Sequence, residues 1–163
     1  LSSSSAASDV YKRQDLGGPL NDSGSVRGRI VSAMESRGYF YDVGDQKSAL
    51  FYGIGEVDLG PATVLSAGLQ YQQIRSTTNM AGVPRYKDGG DIGLKRSTYL
   101  DAAWDRFNWD TTRVFADLEH RFGQGWSAKV SANYLTADSN LKYAGAYGAI
   151  DRQTGLGLSL IHI

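Results

Sequence analysis

Two stretches of the sequence collect side chains able to grip a ligand. Tyr39, Phe40 and Tyr41 stand together, and Arg85, Tyr86, Lys87, Arg96, Tyr99 and Trp104 punctuate a polar, glycine-containing stretch. Aromatic rings offer flat apolar area with a polar tip, and a guanidinium offers a fork of donors for anionic or chelating oxygens. The same residue types also pack one loop on another or sit in an interfacial belt. Bond-breaking chemistry is poorly provided for. The absence of cysteine removes thiol catalysis, zinc thiolates and a disulfide framework. Of the two histidines, His162 falls in a terminal stretch of foreign character, and the lone His120 reads as a packing or interfacial residue. The KDGGD run at 87–91 gathers carboxylates without the regular oxygen-ligand spacing of a calcium loop, and reads as a glycine-rich turn.

The two ends have to be set aside before the fold is argued. Residues 9–14 read DVYKRQ and residues 158–163 read LSLIHI. The codons GAT GTG TAT AAG AGA CAG encode the first, and their reverse complement encodes the second. Antisense copies at opposite ends look like inverted transposon-type sequencing adapters, and SSAAS at 4–8 also looks adapter-coded. Residues 1–14 and 158–163 are therefore expected to be adapter-derived, leaving 15–157 as the native segment of a longer parent. Without Asp9, Lys12 and Arg13, 15 basic residues face 16 acidic ones. That balance lacks the basic excess of a nucleic-acid-binding surface. No apolar run reaches the length of a membrane-spanning helix. Abundant Gly and Tyr with 3 Pro point to an extended, aromatic-rich β protein.

What positions the candidate residues is a series of strands. In VRGRIVSAMES, 26–36, Val26, Gly28, Ile30, Ser32 and Met34 share one parity, with Arg27, Arg29 and Glu35 on the other. A strand sorts side chains by parity, whereas a helix would scatter these charges around its circumference. LFYGIGEVDL at 50–59 and TVLSAGLQYQQ at 63–73 behave likewise. At 112–134, Val114, Ala116, Leu118, Trp126, Ala128, Val130 and Tyr134 oppose Arg113, Asp117, Glu119, Lys129 and Asn133. About five strands of ten residues or more are expected.

Tight junctions at 20–25, 60–62 and 123–125 alternate with long ones at 39–48, at 76–108 and from 143 onward. One rim of short turns and one of long loops is the signature of a transmembrane β-barrel, with an apolar parity on lipid and a charged parity in the lumen. Phe122 and Trp126 bracket a tight turn, where an aromatic girdle belongs, and Tyr71 and Tyr134 approach the opposite rim. A soluble antiparallel sheet would show similar alternation but has little use for so long a link.

Five phrases carry a family resemblance: DLGGPLNDSGSVRGRIV (15–31), FYGIGEVDLGPATVLSAGLQYQ (51–72), GVPRYKDGGDIGLKRST (82–98), TTRVFADLEHRFGQGWSAKVSANYLTADSN (111–140) and DRQTG (151–155). In this order they resemble the early barrel of TonB-dependent siderophore receptors of the ferric-hydroxamate and ferric-pyoverdine type. The resemblance covers almost all of 15–157. It implies an all-β fold, a fragment of a plugged transmembrane antiparallel β-barrel of roughly 22 strands that forms an open curved sheet as an isolated chain.

It also implies an outer-membrane receptor and active transporter of a Gram-negative bacterium, driven through TonB, with iron ligated by the siderophore and with no catalytic residue, metal or cofactor of the protein's own. The plug and TonB box would lie upstream. Tyr39, Tyr41, Arg85, Tyr86, Arg96 and Trp104 are then the expected ligand contacts. Two alternatives remain: a passive porin-like channel, separable by what precedes the strands, and a soluble β-sheet binding module, separable by whether the complete parent is monodisperse in plain buffer or only in detergent.

Overall fold

A computed structural model describes residues 10–80 and 82–162, the last two without side chains. Residues 1–9 and 163 of the adapter-like ends lie outside it. Six strands follow one another: β1 (Val10–Pro19), β2 (Val26–Gly38), β3 (Asp45–Gly60), β4 (Thr63–Ser76), β5 (Arg106–Arg121) and β6 (Ser127–Lys142). They pair in sequence order, each antiparallel to the next, as one six-stranded sheet whose first and last strands do not meet. A separate hairpin joins β7 (Ala144–Gly148) to β8 (Leu158–His162). The expected all-β, open antiparallel sheet is what forms.

Several details differ from the sequence reading. Strands are longer, 13 to 16 residues for β2 to β6. The first long link shortens to 39–44, because Asp45–Ala49 pairs with 34–38 despite its polar character. The second shrinks to 77–105. A sixth strand appears because residues 10–14, expected to be adapter-coded, continue β1 along β2 from Val10↔Ser36 to Gln14↔Ser32. Residues 158–162 similarly pair with 144–148. Main-chain pairing is blind to side-chain identity, so an open edge accepts any extended segment.

The register sorts the side chains into rows that run across the sheet. Leu16, Ile30, Gly53, Leu69, Val114 and Tyr134 are consecutive partners on one face. Beside them run a row of small residues (Gly18, Gly28, Gly55, Ala67, Ala116, Ala132) and a row of branched ones (Val26, Val57, Leu65, Leu118, Val130). The opposite face carries Arg27, Glu56, Ser66, Asp117 and Ser131 as partners. Its charges are neutralised in place: Arg27 grips Asp58 with two hydrogen bonds of 2.8 Å, and Arg29 grips Asp15 at 2.8 and 2.7 Å. Lys129 lies 3.5 Å from Asp117. Tyr52 stacks on Phe115 at 6.0 Å, and Phe115 lies across Gly68, where a Cβ would strike the ring.

A single sheet has no second layer to bury against. Among the described residues the buried hydrophobic set is Tyr143 and Ala144, both beyond the sheet, while Val130 and Tyr134 are about two-thirds exposed. The chain exposes 11497 Å², against about 7,900 Å² for a compact protein of this mass. An apolar face of this extent must be covered by something outside the chain.

The aromatic positions indicate what. Trp126 and Phe122 close the tight turn after β5, tied by Phe122 N–H to Trp126 O at 2.8 Å, with Gln124 and Gly125 at φ 67 and 82°. Tyr134 lies eight residues above Trp126, about 27 Å along the strand. That matches the apolar band of about 25 Å in membrane barrels. Above Tyr71 the same parity turns polar: Arg75 clasps Asp110 at 2.9 and 2.7 Å, and Gln73 and Tyr71 donate to the same carboxylate. A strand of 16 residues exceeds the nine to eleven or so that cross lipid, so its upper third projects beyond the membrane. Among the described residues no helix is long and apolar enough to cross a membrane, which says nothing of strands.

Candidate functional site

All the long links leave the rim formed by Gly38, Asp45, Ser76, Arg106 and Lys142, and the tight turns close the other rim. The long links pack into a layer above the sheet. The 39–44 link is a tight reversal, with Tyr39 N–H donating to Gly44 O at 2.9 Å and Val43 held at φ 68°. For a β-branched residue that is a strained conformation. The Tyr41 ring covers Gly44 so closely that no Cβ fits there. Thr77 adds a hydrogen bond of 3.4 Å to Val43 O.

This reversal presents a stack of tyrosines. Tyr39 and Tyr41 are parallel at 5.2 Å, and Tyr41 and Tyr99 at 6.0 Å, so Tyr99 of the second link extends a stack begun by the first. Phe40 meets Tyr41 edge-on, and the Arg96 guanidinium lies 4.8 Å over the Phe40 ring. Asp42 N–H donates to Ser97 O at 2.7 Å and fastens the two links together. Burial pushes the Tyr99 hydroxyl up to about 12, aided by the nearby carboxylates of Asp105 and Asp101, so it remains a neutral donor. It donates to Ala102 O at 3.2 Å.

Of the six expected contact residues, Tyr39, Tyr41 and Arg96 come together here. Arg85 and Tyr86 stand elsewhere, in a clasp between the second link and the segment after β7. Arg85 donates to Gly89 O, and Tyr86 forms a parallel bridge to Ile150 and lies 4.0 Å beneath the Arg152 guanidinium. Arg152 donates to Asp88 at 2.6 Å and Lys87 to Asp151 at 3.3 Å. The KDGGD run is thus a glycine turn, with Gly89 at φ 83°, whose charges face those of DRQT. Arg152 holds the Asp88 carboxyl below the usual range, as do the Thr154 and Gln153 amides for Asp151. Trp104 forms a third station, with Lys142 Nζ 4.6 Å over its ring. Among the described residues no group of three acidic, histidine or cysteine side chains is placed to hold a metal ion.

The sequence reading missed the most buried part of this layer. Asp105 is 3% exposed and accepts from Ala144 N–H at 3.0 Å, Thr78 Oγ1 at 3.3 Å and Ala102 N–H at 3.3 Å. Asp101 is buried and accepts from Met80 N–H at 3.0 Å. Tyr143, fully buried, donates to Tyr147. The signal was present in STYLDAAWD, 97–105, where two acids stand four apart among apolar neighbours.

No family model matches the chain. Relatives do. The chain is 44% identical over 151 residues to the ferric-pyoverdine M114 receptor PbuA of Pseudomonas sp. (strain M114), covering 92% of this chain and 18% of that protein. It is 36% identical over 130 residues to the ferripyoverdine receptor of Pseudomonas aeruginosa, covering 77% of this chain and 16% of the relative. A solved structure of the P. aeruginosa outer-membrane ferripyoverdine receptor bound to ferripyoverdine superposes with a TM-score of 0.85 at 29% identity, over 96% of this chain and 21% of that one. The chain therefore spans less than a quarter of the length of each of these three proteins. With sheet, loop layer and length of match in agreement, the chain belongs to the TonB-dependent siderophore receptors, as a segment of their β-barrel.

Proposed function

We propose that residues 15–157 come from a receptor that captures a ferric siderophore of the pyoverdine class at the cell surface and imports it with energy delivered through TonB. The observation that carries this reading is the 44% identity to a ferric-pyoverdine receptor, sustained over 92% of the chain. The segment contributes strands that face lipid on one side and a polar lumen on the other, with a layer of aromatic and cationic loops on the outer rim. The siderophore supplies the iron ligands, so the protein needs shape, flat rings and charge, and breaks no bond. In this reading Tyr39, Tyr41 and Arg96 form one contact surface, with Trp104 and the Arg85–Tyr86 pair as flanking ones. Residues 1–14 and 158–163 belong to the adapter.

The test is to recover the complete gene, express it in a Pseudomonas strain lacking its own pyoverdine receptors, and follow radioiron uptake from ferric-pyoverdine. Saturable uptake abolished by loss of TonB supports the reading. Passive, TonB-independent permeation would replace it with a porin-like channel, and a lipid-free soluble product would remove both. Tyr41→Ala is expected to weaken ferric-pyoverdine binding about tenfold, the scale of one lost aromatic contact.

A further inference from the structure

On the charged face of the sheet, cations stand beside carboxylates, with one exception. Arg27, Arg29, Arg37, Arg121 and Lys129 each lie 3.9 Å or less from an Asp or Glu oxygen. Arg113 has no such partner among the described residues. Its Nε donates to the neutral Asn133 Oδ1 at 2.7 Å, and the guanidinium lies 5.3 Å over the Phe115 ring. Phe115 in turn reaches across β4, because Gly68 has no side chain to stop it, and stacks on Tyr52 of β3 at 6.0 Å with the planes 17° apart. Neither the Arg113 Nη groups nor the Tyr52 hydroxyl has a hydrogen-bond partner among the described residues. Two flat rings and a set of open donors thus stand together on the inner wall.

The outer loop layer uses the same construction, with Tyr39, Tyr41 and Tyr99 in parallel and Arg96 over Phe40. Tyr52 lies seven residues along β3 from Asp45 at the outer rim, a descent of about 24 Å. One recognition unit is therefore built twice, at the mouth and well down the wall. We propose that Tyr52, Phe115 and Arg113 form a second, inner station for the ferric siderophore, occupied after it leaves the loop layer and before it passes the rim of tight turns. This rests on the reading of the parent as a siderophore receptor. Flat chelating groups lie against the two rings, and chelating oxygens accept from the Arg113 fork and the Tyr52 hydroxyl. An arginine already clasped by a carboxylate would have to give up that bond first, whereas Arg113 gives up none. A carboxylate from another part of the parent would satisfy Arg113 but would leave the paired rings without a use, so the rings favour the flat ligand.

Two measurements on the complete receptor in cells test it. Gln70 lies between Tyr52 and Arg113 in the register of β3, β4 and β5. With photoreactive benzoylphenylalanine in place of Gln70, irradiation of TonB-competent cells supplied with ferric-pyoverdine should yield a siderophore adduct, read by mass spectrometry, and cells lacking TonB should yield little. Adducts only to other segments of the receptor would mean that protein fills the station, and an equal siderophore yield without TonB would make it part of the outer site. Either result overturns the proposal. In the second measurement, Arg113→Gln should lower the maximal rate of radioiron uptake about tenfold, the scale of one charge-assisted hydrogen bond, with equilibrium binding of ferric-pyoverdine at the cell surface unchanged. A wild-type maximal rate, or a loss accounted for by weaker surface binding, overturns the inner station and leaves the parent reading intact. This arm decides even where the photoreactive variant does not fold. A wild-type receptor that neither binds nor imports ferric-pyoverdine removes the parent reading, and the station with it.

Discussion

Val43 and Gly68 are two residues at which this backbone restricts the side chain, for different reasons. Val43 is held at φ 68°, a conformation that β-branched side chains tolerate badly. Asparagine adopts it readily, so Val43→Asn should slow exchange of the Tyr39 amide about fivefold, or ~1 kcal/mol of relieved strain. Gly68 is constrained by space instead. A Cβ there would meet the Phe115 ring and sit 2.7 Å from Gly53 O, and a carbonyl within the ladder cannot step aside. Gly68→Val should destabilise the refolded receptor by about 2 kcal/mol in urea titration, within the range for overpacking. Gly53→Ala, whose nearest neighbour is the Phe51 ring at 3.7 Å, should be nearly neutral in the same assay.

At the scale of the element, a strand presents two solvents to alternate residues. Val114 and Arg113 are neighbours in β5. Val114 lies in the apolar row, whereas Arg113 donates to Asn133 at 2.7 Å on the charged face. Val114→Arg should cost about 2–4 kcal/mol of folding stability in phospholipid vesicles, whereas Arg113→Gln should cost under ~1 kcal/mol. Equal costs would mean that the sheet does not separate lipid from water. The clasp of links is a second element-scale device. Asp88 is held below the ordinary carboxylate range by Arg152, so the clasp persists through that range and is lost only as pH falls through the lowered value. Asp88→Ala should make the 151–155 turn markedly more sensitive to trypsin at Arg152, read by mass spectrometry of the fragments.

For the whole molecule, the decisive fact is a six-stranded sheet with two open edges and two uncovered faces. Unpaired main-chain groups along β1 and β6 are intolerable in hydrocarbon, so the sheet crosses lipid only when further strands close it. The 163-residue chain by itself is expected to aggregate in buffer after dilution from urea, with gains in thioflavin fluorescence. The complete receptor should instead remain monodisperse in detergent under the same dilution. A monodisperse chain in plain buffer would contradict the uncovered apolar rows.

The barrel character was legible in the sequence because parity is a local property. Whether Val114 and Arg113 face opposite solvents depends only on their being neighbours in an extended strand. The tight turn between Phe122 and Trp126 was equally local. Family phrases such as DLGGPLNDSGSVRGRIV carried the rest of the assignment. Extra strand length and the pairing of 10–14 were not legible, because polar residues beyond the membrane need not alternate and main-chain pairing ignores side-chain identity. The loop layer lay furthest out of reach. Tyr39 and Tyr41 announced themselves by type, but Tyr99 joins them from 58 residues away in sequence, and Arg85 and Tyr86 turned out to serve the clasp with Arg152. The burial of Asp101 and Asp105 beneath Tyr143 was decided only when three distant segments met, since no local rule says which carboxylate loses its water.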